Sequence, residues 1–215
     1  MSQHHPSKDL LTEFSAGTLD TAQAVAISAH LHYCHKCRQT VQEMEQLGGA
    51  MLEELSPQAL PETSFDDLMD AIDRKDQSIT ANTEALDHTL PRAIMRMIND
   101  APLKWRKVTN SLKTATLTAG QNQYEVSLQK IQAGGTVPKH DHRGMEITVV
   151  LKGSFSDQHG IYQEGDFLIK QPGDVHQPVS AHHQDCLCLS IQAAPVRLMG
   201  LFGKLMNPFI RLHTA

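Results

Sequence analysis

The chain has 215 residues, a formal net charge of −5, four cysteines and thirteen histidines, a length that suits one large domain or two small ones. With 40% hydrophobic residues it can build compact cores, yet no apolar run reaches the length of a membrane span. The N-terminus, MSQHHPSKDL, carries no apolar stretch of the kind a secretory signal needs, so a cytoplasmic protein without membrane contact is expected.

The charge is unevenly shared. Residues 1–89 hold 5 Lys and Arg against 15 Asp and Glu, a balance of −10, whereas residues 90–215 hold 14 against 9, a balance of +5. The acidic half is unsuited to neutralising phosphates, which argues against direct nucleic-acid binding there. It suits a basic, DNA-binding protein partner, though a solvated acidic helical surface would give the same count.

Residues 1–75 read as helical. Ser7 is placed to cap a first helix carrying Leu10, Leu11 and Phe14, with Gly17 just past its end. Asp20 caps a second, through Val25 and Ile27 to His30. A third puts Val41, Met44, Leu47, Met51 and Leu52 on one face until Pro57 and Pro61 break it. Ser64 then caps a short amphipathic segment with Phe65, Leu68, Met69 and Ile72. Residues 74–89, RKDQSITANTEALDHT, are polar and aperiodic, a linker, and Leu90 to Ile98 is a short helix after it.

From about Trp105 the texture changes to short strands and turns: YEVSLQKI, MEITVVLKG, the hairpin FSDQHGIY, the turn EGD before FLIK, and CLCLSIQA. Such spacing without intervening helices implies a small antiparallel barrel or sandwich. The tail PVRLMGLFGKLMNPFIRL is apolar on most sides and is expected to pack on the barrel as a helix and turn. The division expected is therefore 1–75 helical, 76–104 linker and short helix, 105–194 β-barrel and 195–215 tail.

Two groups of side chains carry chemistry. HLHYCHKC holds His30, Cys34 and Cys37 as H-x3-C-x2-C. His30 and Cys34 lie one helical turn apart, and Cys37 can close on the same ion from a turn. Thiolate with imidazole suits tetrahedral Zn²⁺ and disfavours hard cations. His4 or His5 could supply the fourth ligand and pin the N-terminus. The second group is His140, His142 and Glu146, spaced H-x-H-x3-E, with His176 after the Pro172–Gly173 turn. Residues two apart in a strand share a side. Three nitrogens and a carboxylate oxygen suit Zn²⁺, Fe²⁺, Mn²⁺ or Ni²⁺. Cys186 and Cys188, two apart on one strand, would form a strained bridge and read first as core residues, with a redox-sensitive pair as the alternative. His182 and His183 read as loop residues.

The H-x3-C-x2-C motif resembles the zinc-binding anti-sigma domain, over residues 1–75, and most closely that of ChrR-type anti-sigma factors. By that resemblance the histidine completing the site is His5, and the domain clamps an extracytoplasmic-function sigma factor away from core RNA polymerase. The second segment resembles the cupin motifs. The first motif is matched in full from Gly134 to Gly153. The second is looser: Gly165, Pro172, Gly173 and His176 are present, but Ser180 stands where an asparagine often follows. The expected fold is thus a zinc-stabilised helical bundle followed by an antiparallel cupin barrel. Zinc is expected in both sites, least firmly in the cupin. The resemblance implies a non-enzymatic regulator whose cupin domain releases the sigma factor under singlet oxygen or related oxidative stress. The competing readings are a metal-dependent cupin enzyme such as a dioxygenase, and a regulator whose cupin pocket takes a small ligand.

Overall fold

The computed structural model describes residues 2–76, 90–100, 103–117, 123–200 and 207. Most of the polar linker expected over 74–89 and most of the tail expected over 195–215 lie outside the described residues.

Among the described residues, five helices precede the strands: α1 (Lys8–Ser15), α2 (Thr21–Tyr33), α3 (His35–Glu53), α4 (Ser64–Asp76) and α5 (Arg92–Asp100). Local chemistry sets their starts. Ser7 accepts from the Leu10 N–H through its hydroxyl and Asp20 from the Gln23 N–H through its carboxylate, each satisfying a donor with no partner inside its helix. Cys34 closes α2 and also caps α3, its backbone extended between them and its sulfur accepting from the Cys37 N–H. Cys37 therefore sits in the first turn of α3 and not in a free turn, because the Cys34 cap lets the next helix begin at His35.

The strands are β1 (Arg106–Lys107), β2 (Leu112–Leu117), β3 (Glu125–Ile131), β4 (His140–Asp141), β5 (Glu146–Lys152), β6 (Ser154–Asp157), β7 (Gly160–Gln163), β8 (Phe167–Lys170), β9 (Val175–His176), β10 (Val179–Ser180), β11 (Cys186–Gln192) and β12 (Arg197–Leu198). Their hydrogen bonding falls into three sheets, ordered β1-β2-β3-β11-β5-β8, β10-β6-β7 and β12-β4-β9. All named pairings are antiparallel. The fold is cupin-like, with the ladder interrupted between sheets where a closed barrel would be continuous.

The six-stranded sheet is covered on both faces, which is why β5 and β11 read as nearly unbroken apolar runs. Side chains alternate across a strand. Val150, Cys186 and Cys188 join Phe155, Tyr162 and Leu168 inside the β-structure. Ile147, Val149, Leu189 and Ile191 join Leu11, Ala26, Ile27, Val41 and Ile94 of the helices in a second cluster. Helix α2 lies on β5 and β11, with α5 beside it. Burying each large aliphatic side chain contributes about 1.5–3 kcal/mol, so the helical half and the sheet share one apolar interface. Polar ties cross it too: the Tyr33 hydroxyl donates to the Leu151 carbonyl at 2.8 Å.

The apolar face expected on α3 divides in two. Val41 is buried and Met44 is partly covered, but Leu47, Met51 and Leu52 are 63–68% exposed. Phe65, Leu68, Met69 and Ile72 of α4 are exposed as well. No helix among the described residues is long and apolar enough to cross a membrane.

Candidate metal centres

Among the described residues, two groups bring four ligand atoms within 4.8 Å of one another: His5, His30, Cys34 and Cys37, and His140, His142, Glu146 and His176. Every ligand-type residue singled out by spacing falls in one of them. Of the two N-terminal histidines, it is His5 that lies in the first group.

In the first group, His30 and Cys34 come from the end of α2, Cys37 from the start of α3, and His5 from the segment ahead of α1. His5 Nδ1 lies 3.4 Å from Cys34 Sγ and 3.5 Å from Cys37 Sγ. A tetrahedral zinc with ordinary bond lengths holds sulfur and nitrogen about 3.5 Å apart, so the cluster fits one ion. His30 is fully buried and sets its Nδ1 2.7 Å from the Gly165 carbonyl, which leaves Nε2 buried without a partner. Burial, with the neighbouring His5, lowers its pKa to about 4 against the hydrogen bond to Gly165, which raises it. The ring is therefore neutral, with a lone pair aimed into the cluster, as a ligand requires. Burial pushes the Cys34 thiol up, but the hydrogen bond from the Cys37 N–H and its other polar neighbours outweigh it and hold the thiol below its ordinary value. Burial and the adjacent Cys34 push Cys37 up to about 12. A cation beside the pair would favour both thiolates.

The barrel helps to build this cluster. Asp166, fully buried in the β7–β8 turn, accepts from the Gln3 and His4 N–H groups through Oδ1, at 2.6 and 3.1 Å, and from Gln163 N–H through Oδ2. The Phe167 N–H donates to the His4 carbonyl at 3.0 Å. His5 is thereby fixed by a barrel turn more than 150 residues away in sequence.

In the second group, His140 lies on β4 and pairs in register with His176 on β9. His142 follows β4, and Glu146 opens β5. His140 Nδ1 meets the Pro138 carbonyl at 2.8 Å, and His176 Nδ1 meets Asp157 Oδ2 at 3.0 Å. Both rings then turn Nε2 lone pairs toward each other, 3.0 Å apart. Burial, with His140 nearby, lowers His176 to about 4 despite Asp157. With Nδ1 of each ring on an oxygen, the two facing Nε2 atoms suit a cation held between them. Glu146 uses Oε1 to accept from Ser190 Oγ at 2.7 Å and Gln192 Nε2 at 2.9 Å, leaving Oε2 open, 3.4 Å from His142 Nδ1. Burial pushes Glu146 up, but His142, His140 and these donors hold it ionised, below its ordinary value. The donor set fits a divalent transition metal. Separations of 3.0 and 3.4 Å span the edges of both octahedra and tetrahedra with bonds of about 2.1 Å.

The groups behind the ligands were not read from the sequence. Asp157, Asp166, Ser190 and Gln192 carry no spacing signal, since each acts across the fold, and Gly165 was read only as a cupin-motif glycine and not as a support for His30. The EGD turn was the one available clue, as an acid between Gly165 and Phe167. Cys186 and Cys188 are buried with sulfurs 3.6 Å apart and unbonded. The hydrogen bond with Cys186 and burial push the Cys188 thiol well up. They pack as core residues.

A model of the ChrR cupin-like domain matches residues 94–195. Along its whole length, the chain is 34% identical over 214 residues to the anti-sigma-E factor ChrR of Cereibacter sphaeroides, covering 98% of this chain and 99% of that one. The chain belongs to the ChrR family of anti-sigma factors. The crystal structure of Rhodobacter sphaeroides SigE in complex with the anti-sigma ChrR also matches, with a TM-score of 0.74 and 31% identity, covering 89% of this chain and 100% of that chain. Membership of the ChrR family sets aside the dioxygenase reading: the cupin half here belongs to a regulator and not to an enzyme.

Proposed function

We propose that this chain binds and inhibits an extracytoplasmic-function sigma factor in the cytoplasm, and releases it when its cupin half registers oxidative stress, singlet oxygen or a related species. Residues 1–75 form the clamp, with zinc on His5, His30, Cys34 and Cys37, since paired thiolates and imidazoles select zinc. Residues 105–194 form the sensor, with a divalent metal, zinc first, on His140, His142, Glu146 and His176. The bound ions supply cross-linking that a small helical unit lacks by itself.

The observation carrying this reading is the set of uncovered apolar side chains on α3 and on α4. Leu52 is 68% exposed and Leu47 66% on α3, and Phe65 is 70% exposed on α4, a helix that also carries Asp66, Asp67, Asp70 and Asp73. Apolar side chains rimmed by carboxylates suit a partner that is itself apolar at the contact and basic around it, as a DNA-binding protein is. The similarity to the SigE–ChrR complex supports that choice of partner.

The test is co-purification with candidate sigma factors, metal analysis, and transcription from a sigma-dependent promoter. The double substitution Cys34→Ser/Cys37→Ser should abolish binding and lose one equivalent of zinc. His140→Ala/Glu146→Ala should keep repression and blunt release under stress. Loss of sigma binding in the cupin variant would refute this division of labour.

A further inference from the structure

The two metal-ligand clusters are joined by an unbroken series of contacts through β6, β7 and the β7–β8 turn. His176 meets Asp157 Oδ2 at 3.0 Å. The Tyr162 hydroxyl donates to the other oxygen, Asp157 Oδ1, at 3.2 Å. The Tyr162 ring, 4% exposed, packs on the His4 ring with centroids 4.9 Å apart. His4 is tied to the β7–β8 turn through the Asp166 carboxylate and the Phe167 N–H, and the next residue is the candidate ligand His5. Three residues beyond Tyr162, Gly165 holds the His30 ring.

We propose that Tyr162 is the positioning residue that couples the two clusters: the cupin ion, by fixing His176, fixes Asp157 and Tyr162, and so holds the N-terminal strap that delivers His5. This rests on the two-metal reading given above. The geometry favours this route on three counts. The Asp157 side chain is fully buried, so when His176 shifts, it moves within packed protein, not into water. Its partners are few and directional: His176, Tyr162, the His159 N–H and Lys170. The receiving end is a short strap with two backbone N–H groups on one carboxylate oxygen, so a small shift of the β7–β8 turn displaces His5 directly. A contact path alone is not coupling; the coupling must appear as non-additivity between the two ends.

The test uses the full-length zinc-loaded protein and measures zinc release from the Cys34/Cys37 site. A thiol-modifying reagent triggers the release, and a chromophoric chelator reports it. Four proteins form a cycle: wild type, His176→Ala, Tyr162→Phe and the double variant. His176→Ala should speed release from the cysteine site by roughly tenfold, within the usual range of coupling between sites. In the Tyr162→Phe background the same change should add less than about twofold. Tyr162→Phe keeps the ring and removes only the hydroxyl, so a merely structural role would leave the His176 effect intact. An unchanged release rate in His176→Ala, or an equal acceleration in both backgrounds, overturns the proposal. Should His176→Ala fail to fold, Asp157→Asn replaces it in the cycle, since it cuts the same route without removing a ligand. Promoter repression by the wild-type protein is measured in parallel. Its absence would refute the sigma-factor reading while leaving the zinc-release cycle to be judged by itself.

Discussion

Gly165 holds its carbonyl oxygen 2.7 Å from His30 Nδ1, so a turn of the cupin half orients a ligand of the helical cluster. The glycine is required there. Its φ is +89°, and a Cβ would lie 2.7 Å from Tyr33 Cβ. Gly165→Ala should therefore destabilise the protein by about 1–3 kcal/mol and weaken zinc retention at Cys34/Cys37, read by thermal melting and by chelator competition. Unchanged zinc affinity would show that His30 does not depend on this carbonyl.

Asp166 offers a separate handle on the same cluster. Asp166→Ala leaves the Gln3, His4 and Gln163 N–H groups without their acceptor, at about 1–3 kcal/mol for each that remains buried. The expected result is a lower melting temperature, together with faster hydrogen exchange at residues 3–5. Zinc at the cysteine site should also come off faster, because His5 is no longer held. Exchange protection equal to wild type would show that the strap is fixed by other contacts.

In the cupin cluster, Ser190→Ala removes one of two donors on Glu146 Oε1. Groups that orient a metal-binding carboxylate typically change affinity by about 10–100-fold. Isothermal titration of the metal-stripped protein should show that loss at the cupin site, with a smaller change at the cysteine-containing site. An unchanged cupin site would contradict the assignment.

Substitutions on α4 separate binding from folding. Phe65 and Leu68 are 70% and 56% exposed, so Phe65→Ala and Leu68→Ala should leave melting temperature and metal content within error. They should weaken sigma-factor binding by at least about tenfold each if they anchor the interface. Added salt should slow association further, since the acidic rim steers a basic partner. Wild-type affinity in both variants would move the interface off α4.

The two candidate clusters were legible because metal chemistry imposes short, recognisable spacings: one helical turn from His30 to Cys34, two strand residues from His140 to His142. Helix starts were legible for a similar reason, as Ser7 and Asp20 act on donors three residues ahead. What escaped was everything set by tertiary placement. Gly165 and Asp166 serve a cluster assembled from residues 5–37, and Asp157 serves His176 from another sheet, so neither leaves a local period. The apolar stripe of α3 was read correctly as a stripe, yet its partition into a covered start and an open end depends on where α1 and α2 stop.

Leu11, Ile27 and Ile94 belong to the same apolar cluster as Val149, Leu189 and Ile191. Such a chain is not modular in the way its two motifs suggest. A chimera joining this helical half to the cupin half of a relative would have to match the outer faces of β5 and β11 to α2, side chain for side chain. It would also need a glycine and an acid at the 165–166 turn. The interface therefore constrains which sequence changes the two halves can accept separately, and substitutions on α2 should be accompanied by compensating ones on β5 and β11.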